Sequence, residues 1–420
     1  MKKTLRMDNI LTLNAGSSSL KFAVFRVAAE EIHERVRGQV EGLGAQPRFI
    51  ARQPDGVKHE AQPWSASRPP GTAVEALNAV LEWLRGSMPE IAIDAVGHRI
   101  VHGGSDFSEA VVLNADVLQA LQRLVPLAPL HQPHNLSGVA AVRELFGEIP
   151  QVGCFDTAFH RQHPWVNDVF GLPLELLEEG VRRYGFHGLS YEYVMHTLTR
   201  IAPLLASGRV VVAHLGNGAS MCAVRGGRSV DSTMGFSALD GLPMGTRCGQ
   251  LDPGVLLYLL QEKGLSAEQL SDMLYRRSGL KGLSSISHDL RELEASTRSE
   301  ATQAIDYFVF RIRRELGAMA AVLGGLDALV FTGGIGENAV HIRERVCRDF
   351  EWLGIELDQH RNRNAEQTIS AEGAPIRVLV IPTDEEATIA AHTRQLVASR
   401  ESSAKMPPAN HSLQETQREN

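Results

Sequence analysis

Cysteine is scarce in this sequence, and its spacing matches no metal or redox motif. Only four of the 420 residues are cysteines, and no two of them form a C-x-x-C pair. They are Cys154, Cys222, Cys248 and Cys347. This spacing excludes a zinc knuckle and a thioredoxin-type redox centre, and it favours free thiols in a reducing compartment.

Long apolar runs and an excess of basic charge are also missing. The most apolar stretch, residues 318–331, is interrupted by Asp327 and two glycines and is too short for a membrane span. Basic residues near the N-terminus are followed by Asp8 and by a short apolar run, residues 10–13, which argues against a signal peptide. With 42 basic and 49 acidic side chains the net charge is −7, which argues against a nucleic-acid-binding protein. We therefore expect a cytoplasmic protein with no membrane or nucleic-acid partner.

The remaining composition is that of a globular chain in which strands and helices alternate. Hydrophobic residues make up 43% of the sequence, enough for a large core, and the length predicts two or three domains. The patterns predict strands at residues 10–13, 22–27, 95–101, 152–155, 210–215, 328–331 and 378–381. They predict helices at residues 72–85, 191–205, 305–319, from about 338, and from after 381 to about 396. Residues 42–71 are expected to be irregular or short edge strands, and residues 400–420 a disordered tail. Alternation of this kind indicates an α/β fold.

One segment of the chain is duplicated. The run LTLNAGSSSLKFAV at residues 11–24 has a counterpart, VVAHLGNGASMCAV, at residues 211–224. Each copy predicts a strand, a turn rich in small polar residues, and a second strand. Two copies about 200 residues apart predict two related domains that face each other, and ligand sites favour such interfaces.

Three turns of this chain could hold phosphate groups. They lie at residues 14–19, 214–220 and 333–338, each after an apolar strand, and they expose backbone N–H groups to an anion. Together they predict a nucleotide site, although no P-loop sequence is present. Gly334, Gly336 and Ala339, with Glu356 further on, also fit a dinucleotide-binding fingerprint. That alternative gives no role to the other two turns.

Charged side chains stand at strand ends and in glycine-flanked loops. Arg99 and Asp156 follow predicted strands, and His187 and Arg247 lie between glycines. Taken alone, each of these is more often an ordinary structural polar group, and that interpretation is stronger still for His98, His102, His134 and His160. Neither H-E-x-x-H nor G-x-S-x-G occurs, so a protease-type zinc site or an esterase elbow has no support. Together the polar loops could hold phosphate, because arginine binds phosphoryl oxygens in pairs and phosphoryl transfer needs mainly positioning and charge neutralisation.

Eight of these segments, in this order, closely resemble the acetate kinase family. They are LNAGSSSLKF (13–22), GHRIVHGG (97–104), FDTAFH (155–160), YGFHGLSY (184–191), HLGNGAS (214–220), MGTRCG (244–249), GGIGEN (333–338) and IPTDEE (381–386). The resemblance covers about residues 9–396. It implies a place in the superfamily of sugar kinases, heat-shock chaperone ATPases and actin.

The resemblance implies a fold and a reaction. The fold is two ribonuclease-H-like domains with mixed sheets flanked by helices and an active-site cleft between them. Residues 9–157, with about 387–397, would form the acid side, and residues 158–386 the nucleotide-binding and dimerisation domain. The reaction would be direct, reversible transfer of the ATP γ-phosphoryl group to acetate, giving ADP and acetyl phosphate. Mg²⁺ (with Mn²⁺ possible) and a homodimer are also implied.

The resemblance further assigns roles to residues of this sequence. Asn14 and Glu385 would hold the metal, and Asp156, His187 and Arg247 would be catalytic. The acid would be bound by Arg99, Val101, Leu130, His131 and Phe186. The nucleotide would be bound by Ser17, Ser19, Lys21, His214, Leu215, Gly216, Asn217, Gly218, Asp289, Leu290, Arg291, Gly334, Ile335, Gly336, Glu337 and Asn338.

Four residues, among them His134 and His288, depart from the family pattern, and one of the four leaves the preferred acid open. Ala238 stands where the family usually has proline beside the acyl pocket, and Asp384 replaces the usual asparagine. Val101 should keep the pocket small, whereas Ala238 could enlarge it, so a propionate or butyrate kinase is the alternative. A non-catalytic nucleotide switch on the same fold would need no acid-binding arginine and no phosphoryl-stabilising pair.

Overall fold

The computed structural model describes residues 7–16, 19–28, 31–65 and 67–405. Its first sheet has eight strands in the order β5-β4-β3-β2-β1-β6-β8-β7. The strands are β1 (Asn9–Ala15), β2 (Ser19–Ala28), β3 (Glu31–Glu41), β4 (Arg48–Arg52), β5 (Lys58–His59), β6 (Ala95–Ile100), β7 (Val111–Val112) and β8 (Gln151–Phe155). The short β4 and β5 lie in the segment 42–71, and β5 is the expected edge strand.

The second sheet has five strands in the order β11-β10-β9-β12-β13. These are β9 (Arg209–Leu215), β10 (Ala219–Arg225), β11 (Arg228–Ser232), β12 (Ala328–Thr332) and β13 (Arg377–Val380). In each sheet a hairpin, β1–β2 or β9–β10, forms an antiparallel pair. On the other side of the hairpin's first strand lie two further strands parallel to it, β6 and β8 in the first sheet and β12 and β13 in the second. The duplicated segments therefore occupy equivalent positions, and the predicted pair of related α/β domains is confirmed.

Helices flank both sheets. In the first half they are α1 (Ala73–Ser87), α2 (Ala115–Arg123), α3 (Gln132–Phe146), α4 (Trp165–Asp168), α5 (Leu174–Glu178), α6 (Gly188–Ile201) and α7 (Pro203–Ala206). In the second half they are α8 (Pro253–Gln261), α9 (Ala267–Arg276), α10 (Gly279–Ser284), α11 (Leu290–Glu294), α12 (Ser299–Leu323), α13 (Gly333–Asn338), α14 (Val340–Cys347), α15 (Gln359–Arg363) and α16 (Glu385–Lys405). Single 3₁₀ turns span Val125–Leu127, Ala158–His160 and Glu351–Leu353.

Three boundaries differ from those predicted. The helix expected over residues 191–205 is split at Ala202, because the next residue is Pro203 and proline disfavours helical backbone before it. The segment Gly333–Asn338, predicted as a turn, is itself helical. α16 continues to Lys405, so residues 400–405 are helical rather than part of a disordered tail. The rest of that tail, residues 406–420, lies outside the described residues.

Helices α12 and α16 pack closely against the two sheets. The predicted apolar stripe of α12 is buried, with Phe308 and Ile312 fully inside the second domain's core. α16 lies so close to β6 that a Cβ atom on Gly97 would come within 2.4 Å of Thr393 Oγ1. The side chain of Glu192 in α6 also bonds His392 in α16, so the last helix contacts both the first sheet and α6. No helix among the described residues is long and apolar enough to cross a membrane.

Candidate active site

The carboxyl ends of three neighbouring strands bring together an amide, a guanidinium and a carboxylate. β1, β6 and β8 run parallel, so their ends meet at one edge of the sheet. There Arg99 Nε donates to Asp156 Oδ1 at 2.9 Å, and Arg99 Nη1 donates to Asn14 Oδ1 at 3.3 Å. Arg99 Nη2 bonds the second Asp156 oxygen, and Glu385 Oε2 lies 3.6 Å from Arg99 Nε. The sequence motifs that contain these four residues therefore meet in one cluster.

Burial and charge act on this cluster in opposite directions. The Asp156 side chain is buried, and burial is the largest influence raising the pKa of its carboxyl, while Arg99 opposes the rise. Burial alone would lower the pKa of the Arg99 guanidinium, but Asp156 and Glu385 outweigh it and raise that pKa. Among the described residues, Arg99 Nη1 donates to the neutral amide oxygen of Asn14.

Two stacked imidazoles stand beside this cluster. The rings of His187 and His214 lie 4.4 Å apart between centroids. His187 immediately precedes α6 with a left-handed backbone (φ 58°), and the next residue, Gly188, donates from its N–H to the Asp156 carbonyl at 2.8 Å. Burial lowers the pKa of both histidines, and Arg99 contributes to each shift. At neutral pH both rings are therefore uncharged hydrogen-bonding groups.

The turn after β9 lies against His187 and Arg247. A Cβ atom on Gly218 would be 3.2 Å from His187 Nε2 and 3.9 Å from Arg247 Nη2, so these three groups border one small space. Arg247 Nη1 donates to the Ala238 carbonyl at 3.0 Å. Burial lowers the pKa of Arg247, with Arg99 acting in the same direction. An anion in this space would relieve the repulsion between the two guanidinium groups.

His131 borders the same region from the first domain. It precedes α3, and its pKa is lowered to about 4 by burial, then by Arg247 and Arg99. Leu130 is half-buried in the loop just before it. Val101 and Phe186 are buried in one apolar cluster together with Leu215 of β9. The expected acid-binding residues thus lie around the end of β6, with apolar and polar members on adjoining segments.

A cavity of about 600 Å³ opens beside the turn after β9. Its lining includes eight residues expected to bind nucleotide: Gly216, Asn217, Asp289, Leu290, Arg291, Gly334, Ile335 and Asn338. Asp289 caps α11 by accepting from Arg291 N–H at 2.9 Å and pairs with the same arginine's side chain. The size and the mixed lining suit a small organic ligand.

Other expected nucleotide residues lie outside that lining. Glu337 faces the backbone, where its Oε1 accepts from Gly333 N–H at 2.9 Å and from Thr383 N–H at 3.1 Å. Leu215 and Gly336 are buried. Lys21 stands opposite Asn14 in the β1–β2 register and acts electrostatically on His214. The Ser19 carbonyl accepts from Gly16 N–H at 2.8 Å, and Ser17 is outside the described residues.

Sequence reasoning missed the side chains that connect these loops. Asn135 is buried in α3, where Nδ2 donates to the Ala15 carbonyl at 2.8 Å and Oδ1 accepts from Val101 N–H at 2.9 Å. Ser220 Oγ and Ser190 Oγ each bond the Nδ1 atom of a site histidine. Ser190 lies in the motif YGFHGLSY and Ser220 in HLGNGAS, so their place in these two motifs was the sequence signal that could have identified them. The structural reading of His98 and His160 is supported, since each is buried on internal partners.

Two helix-flanked mixed sheets share an order of five strands, β3-β2-β1-β6-β8 in the first and β11-β10-β9-β12-β13 in the second, and this defines the class of two-domain actin-like ATPase folds. Within that class, the chain belongs to the acetokinase family, whose model matches residues 9–391. The predicted resemblance is thereby confirmed. The acetate kinase of Methylocella silvestris is 57% identical over 395 residues, covering 92% of this chain and 98% of that protein.

Solved structures agree with this assignment. The crystal structure of Porphyromonas gingivalis acetate kinase has a TM-score of 0.82 and 39% sequence identity. A propionate kinase from Francisella tularensis subsp. tularensis SCHU S4 has a TM-score of 0.85 and 36% identity. Each covers 93% of this chain and is itself covered completely. The fold is thus shared with kinases of two different short-chain acids.

Proposed function

We propose that this chain is an acetate kinase, transferring the γ-phosphoryl group of ATP to acetate in a reversible, in-line reaction. The observation that carries the proposal is the space bordered by His187, Arg247 and Gly218. Arg99 acts electrostatically on both His187 and Arg247, and Gly216 and Asn217 of the same turn line the 600 Å³ cavity. Acceptor, phosphoryl and nucleotide subsites thereby follow one another along the cleft.

Arg99 is assigned to the acid. Its Nε and Nη2 atoms donate to Asp156, while Nη1 donates to the neutral Asn14 amide oxygen among the described residues and can donate to a substrate carboxylate instead. The carboxylate then approaches a polyanionic nucleotide with its own charge neutralised. Val101 and Phe186, buried nearby, supply an apolar environment for a short acyl chain.

His187 and Arg247 are assigned to the phosphoryl group. A carboxylate oxygen of acetate attacks phosphorus, the bond to the ADP oxygen breaks, and no proton has to move, because acetate is already ionised at neutral pH. Donors aimed at the equatorial oxygens are what such a transfer requires. The uncharged His187 and the cationic Arg247 fit that role, and Asp156 fixes Arg99 and remains beside the reacting groups.

The Mg²⁺ assigned by resemblance fits the oxygen donors present. Asn14 Oδ1 and Glu385 Oε2 both approach the Arg99 guanidinium, so an amide oxygen and a carboxylate lie beside the same side chain. Mg²⁺ prefers such ligands and keeps several waters and phosphate oxygens, and Mn²⁺ accepts the same set. When bound, the metal would neutralise phosphate charge. Among the described residues no cluster of three His, Cys, Asp or Glu could hold a metal.

A homodimer is supported by the surface of α8. None of its residues is buried, although its sequence, PGVLLYLLQ, is almost wholly apolar. Leu257 and Tyr258 are 54% and 49% exposed. A helix that is apolar on all sides is normally covered. Gln250, just before α8, accepts from Arg311 of α12, whose helix also exposes Phe310, so we infer that a second copy covers this surface. The boundary between residues 157 and 158 and a cytoplasmic location remain predictions.

Propionate kinase activity is the second candidate, favoured by Ala238. This residue holds the Arg247 guanidinium through its carbonyl and packs against the core that contains Phe186. Alanine leaves more room there than the proline usual in the family. One methylene changes discrimination by only about 1–3 kcal/mol, so propionate can be a second substrate.

The test is ADP formation from MgATP with acetate, propionate and butyrate, the acyl phosphate being trapped with hydroxylamine. We expect acetyl hydroxamate, with kcat/KM falling as the chain lengthens. A preference for propionate that Ala238→Pro reverses would establish the second candidate. Absence of hydroxamate with every acid, while MgATP still binds, would overturn both.

A further inference from the structure

A reciprocal set of hydrogen bonds joins α6 to the β9–β10 hairpin behind the phosphoryl subsite. His187 precedes α6 and bonds through Nδ1 to Ser220 Oγ of β10 at 2.8 Å. His214 of β9 bonds through Nδ1 to Ser190 Oγ of α6 at the same distance. Ser220 and His214 are cross-strand partners, so their side chains share one face of the sheet.

A buried tyrosine adds a third member to the His187–Ser220 hydrogen bond. The Tyr191 hydroxyl bonds Ser220 Oγ, and both residues are fully buried. The ring itself is fixed by contacts with Phe159 and His160, at centroid distances of 6.3 and 5.6 Å. Ser190 and Tyr191 lie in the first turn of α6, three and four residues after His187.

Counting donors and acceptors shows in which direction the hydrogen bonds from Tyr191 through Ser220 to His187 run. Within the described part of the protein, Ser220 is the partner recorded for the Tyr191 hydroxyl. If Tyr191 donates to Ser220, the serine hydroxyl donates to His187 Nδ1 and every buried proton is used. In the reverse direction His187 Nδ1–H donates to Ser220, the serine donates to the phenol oxygen, and the tyrosine proton is left buried without an acceptor. Such a group is costly, so the first direction is favoured.

We propose that Tyr191 and Ser220 are positioning residues that hold His187 in the tautomer with its proton on Nε2, aimed at the phosphoryl subsite. The Nε2 atom is the one that faces the Gly218 position and Arg247. In the other tautomer Nε2 would present a lone pair to the phosphoryl oxygens and repel them. This inference rests on the proposed function, because it assigns the supporting residues of the same site.

Two further features require such support. Burial, then His214, Arg99 and Arg247, hold the pKa of His187 well below its usual range, so the ring offers one N–H and its tautomer decides where that N–H points. The left-handed backbone at His187 is a strained conformation for a residue other than glycine. Side-chain bonds that fix the ring in this backbone therefore serve orientation as well as tautomer.

The first measurement is the tautomer itself. Imidazole ¹⁵N shifts of histidine-labelled protein in the presence of MgADP, with His187 assigned by its loss in His187→Gln, should show the proton on Nε2. Tyr191→Phe keeps the ring contacts but removes the hydroxyl, and it should shift His187 toward the Nδ1–H form. Tyr193→Phe, on the same helix, is the matched control and should leave the signal unchanged. A wild-type Nδ1–H tautomer overturns the proposal, whatever the activity.

Kinetics supply a second, independent test. We expect Tyr191→Phe and Ser220→Ala each to lower kcat about tenfold with little change in the KM for nucleotide. Ser220→Thr retains the hydroxyl and should recover most of the rate. In a His187→Ala background, Tyr191→Phe should have no further effect on kcat. Equal losses with and without His187, or a Ser220→Ala enzyme with wild-type kcat, would overturn the proposal. A wild-type protein inactive on every acid would instead refute the proposed function and leave the tautomer result intact.

Discussion

At the residue scale, Arg247 places a positive charge beside the proposed phosphoryl subsite. Its Nη1 atom rests on a neutral carbonyl, and the guanidinium borders the space beside Gly218. A cation that stabilises the phosphoryl group in flight is worth roughly 10³–10⁵ in rate. We therefore expect Arg247→Ala to lower kcat by about that range while the KM for nucleotide changes far less.

Steady-state kinetics with both substrates varied will measure this effect. Arg247→Lys is the control for charge alone: it keeps the cation but loses the paired geometry, so it should recover only part of the rate. A loss confined to the KM for nucleotide would show that Arg247 binds the ground state and has no special role in transfer.

Asn135 is the residue through which the first turn and the acid pocket are connected. Asn135→Ala leaves the Ala15 carbonyl and the Val101 N–H without that partner in a buried place. Each such group costs on the order of 1–3 kcal/mol. We expect a loss of about 2–4 kcal/mol in the free energy of unfolding, measured in urea, and a higher KM for acetate. His134→Ala, on the same turn of α3, should show neither effect; a stable Asn135→Ala with unchanged KM would contradict this role.

The charged residues of the candidate site were predictable from the sequence because phosphate binding requires those residue types. Arginine, aspartate and histidine at strand ends and between glycines pointed to phosphate, and the structure brings Arg99, Asp156 and His187 together. Asn135 and Ser220 were not predictable from pattern. Their partners lie far away in sequence, Ala15 120 positions from Asn135 and His187 33 from Ser220. Spacing carries no information about such pairs before the fold is known.

At the element scale, the hairpins were predictable and the helix ends were not. The alternation of apolar residues and the small polar turns placed β1, β2, β9 and β10 correctly. Gly333–Asn338 is helical although three of its six residues are glycine, because a strand end and Glu337 fix its first turn. The Glu337 carboxylate is itself held by the N–H of Thr383, which lies too far along the chain for a local sequence pattern to reveal.

Two helices that begin at the site are joined further along by an ion pair. His392 Nε2 of α16 lies 2.7 Å from Glu192 Oε1 of α6. Burial alone would lower the pKa of His392, but Glu192 and then Glu109 outweigh it and raise the pKa above 6.5. Because the folded pKa is the higher one, the pair's contribution is complete below the unfolded pKa and is lost as pH rises through the folded value.

We therefore expect His392→Gln to reduce stability most near pH 6 and progressively less toward pH 9. Since both side chains are partly exposed, the effect should be less than about 1 kcal/mol. Urea unfolding of both proteins across that range will measure it, with His196→Gln as a control on the exposed side of α6. A difference that grows with pH would contradict the assignment.

At the scale of the whole molecule, the two sheets explain why the site lies where it does. The shared strand order turns the carboxyl ends of β1, β6 and β8 toward the Arg99 cluster, and those of β9 and β12 toward the 600 Å³ cavity. Ligands of parallel sheets bind at such ends. A duplicated fold thus supplies two half-sites, one polar and compact, the other larger and suited to a nucleotide.

The apolar surface of α8 gives the last prediction, the oligomeric state. Leu257 is 54% exposed on a helix with no buried residue, so a charge there should disrupt contact with a second copy. We expect light scattering to give a dimer for the wild type and a monomer for Leu257→Glu at low micromolar concentration. Leu204→Glu, at a leucine 88% exposed on α7, should remain dimeric. Because every assigned site residue comes from one chain, the monomer should retain kcat per chain if it stays folded. A wild-type monomer, or a Leu257→Glu dimer, would refute the assignment of this surface.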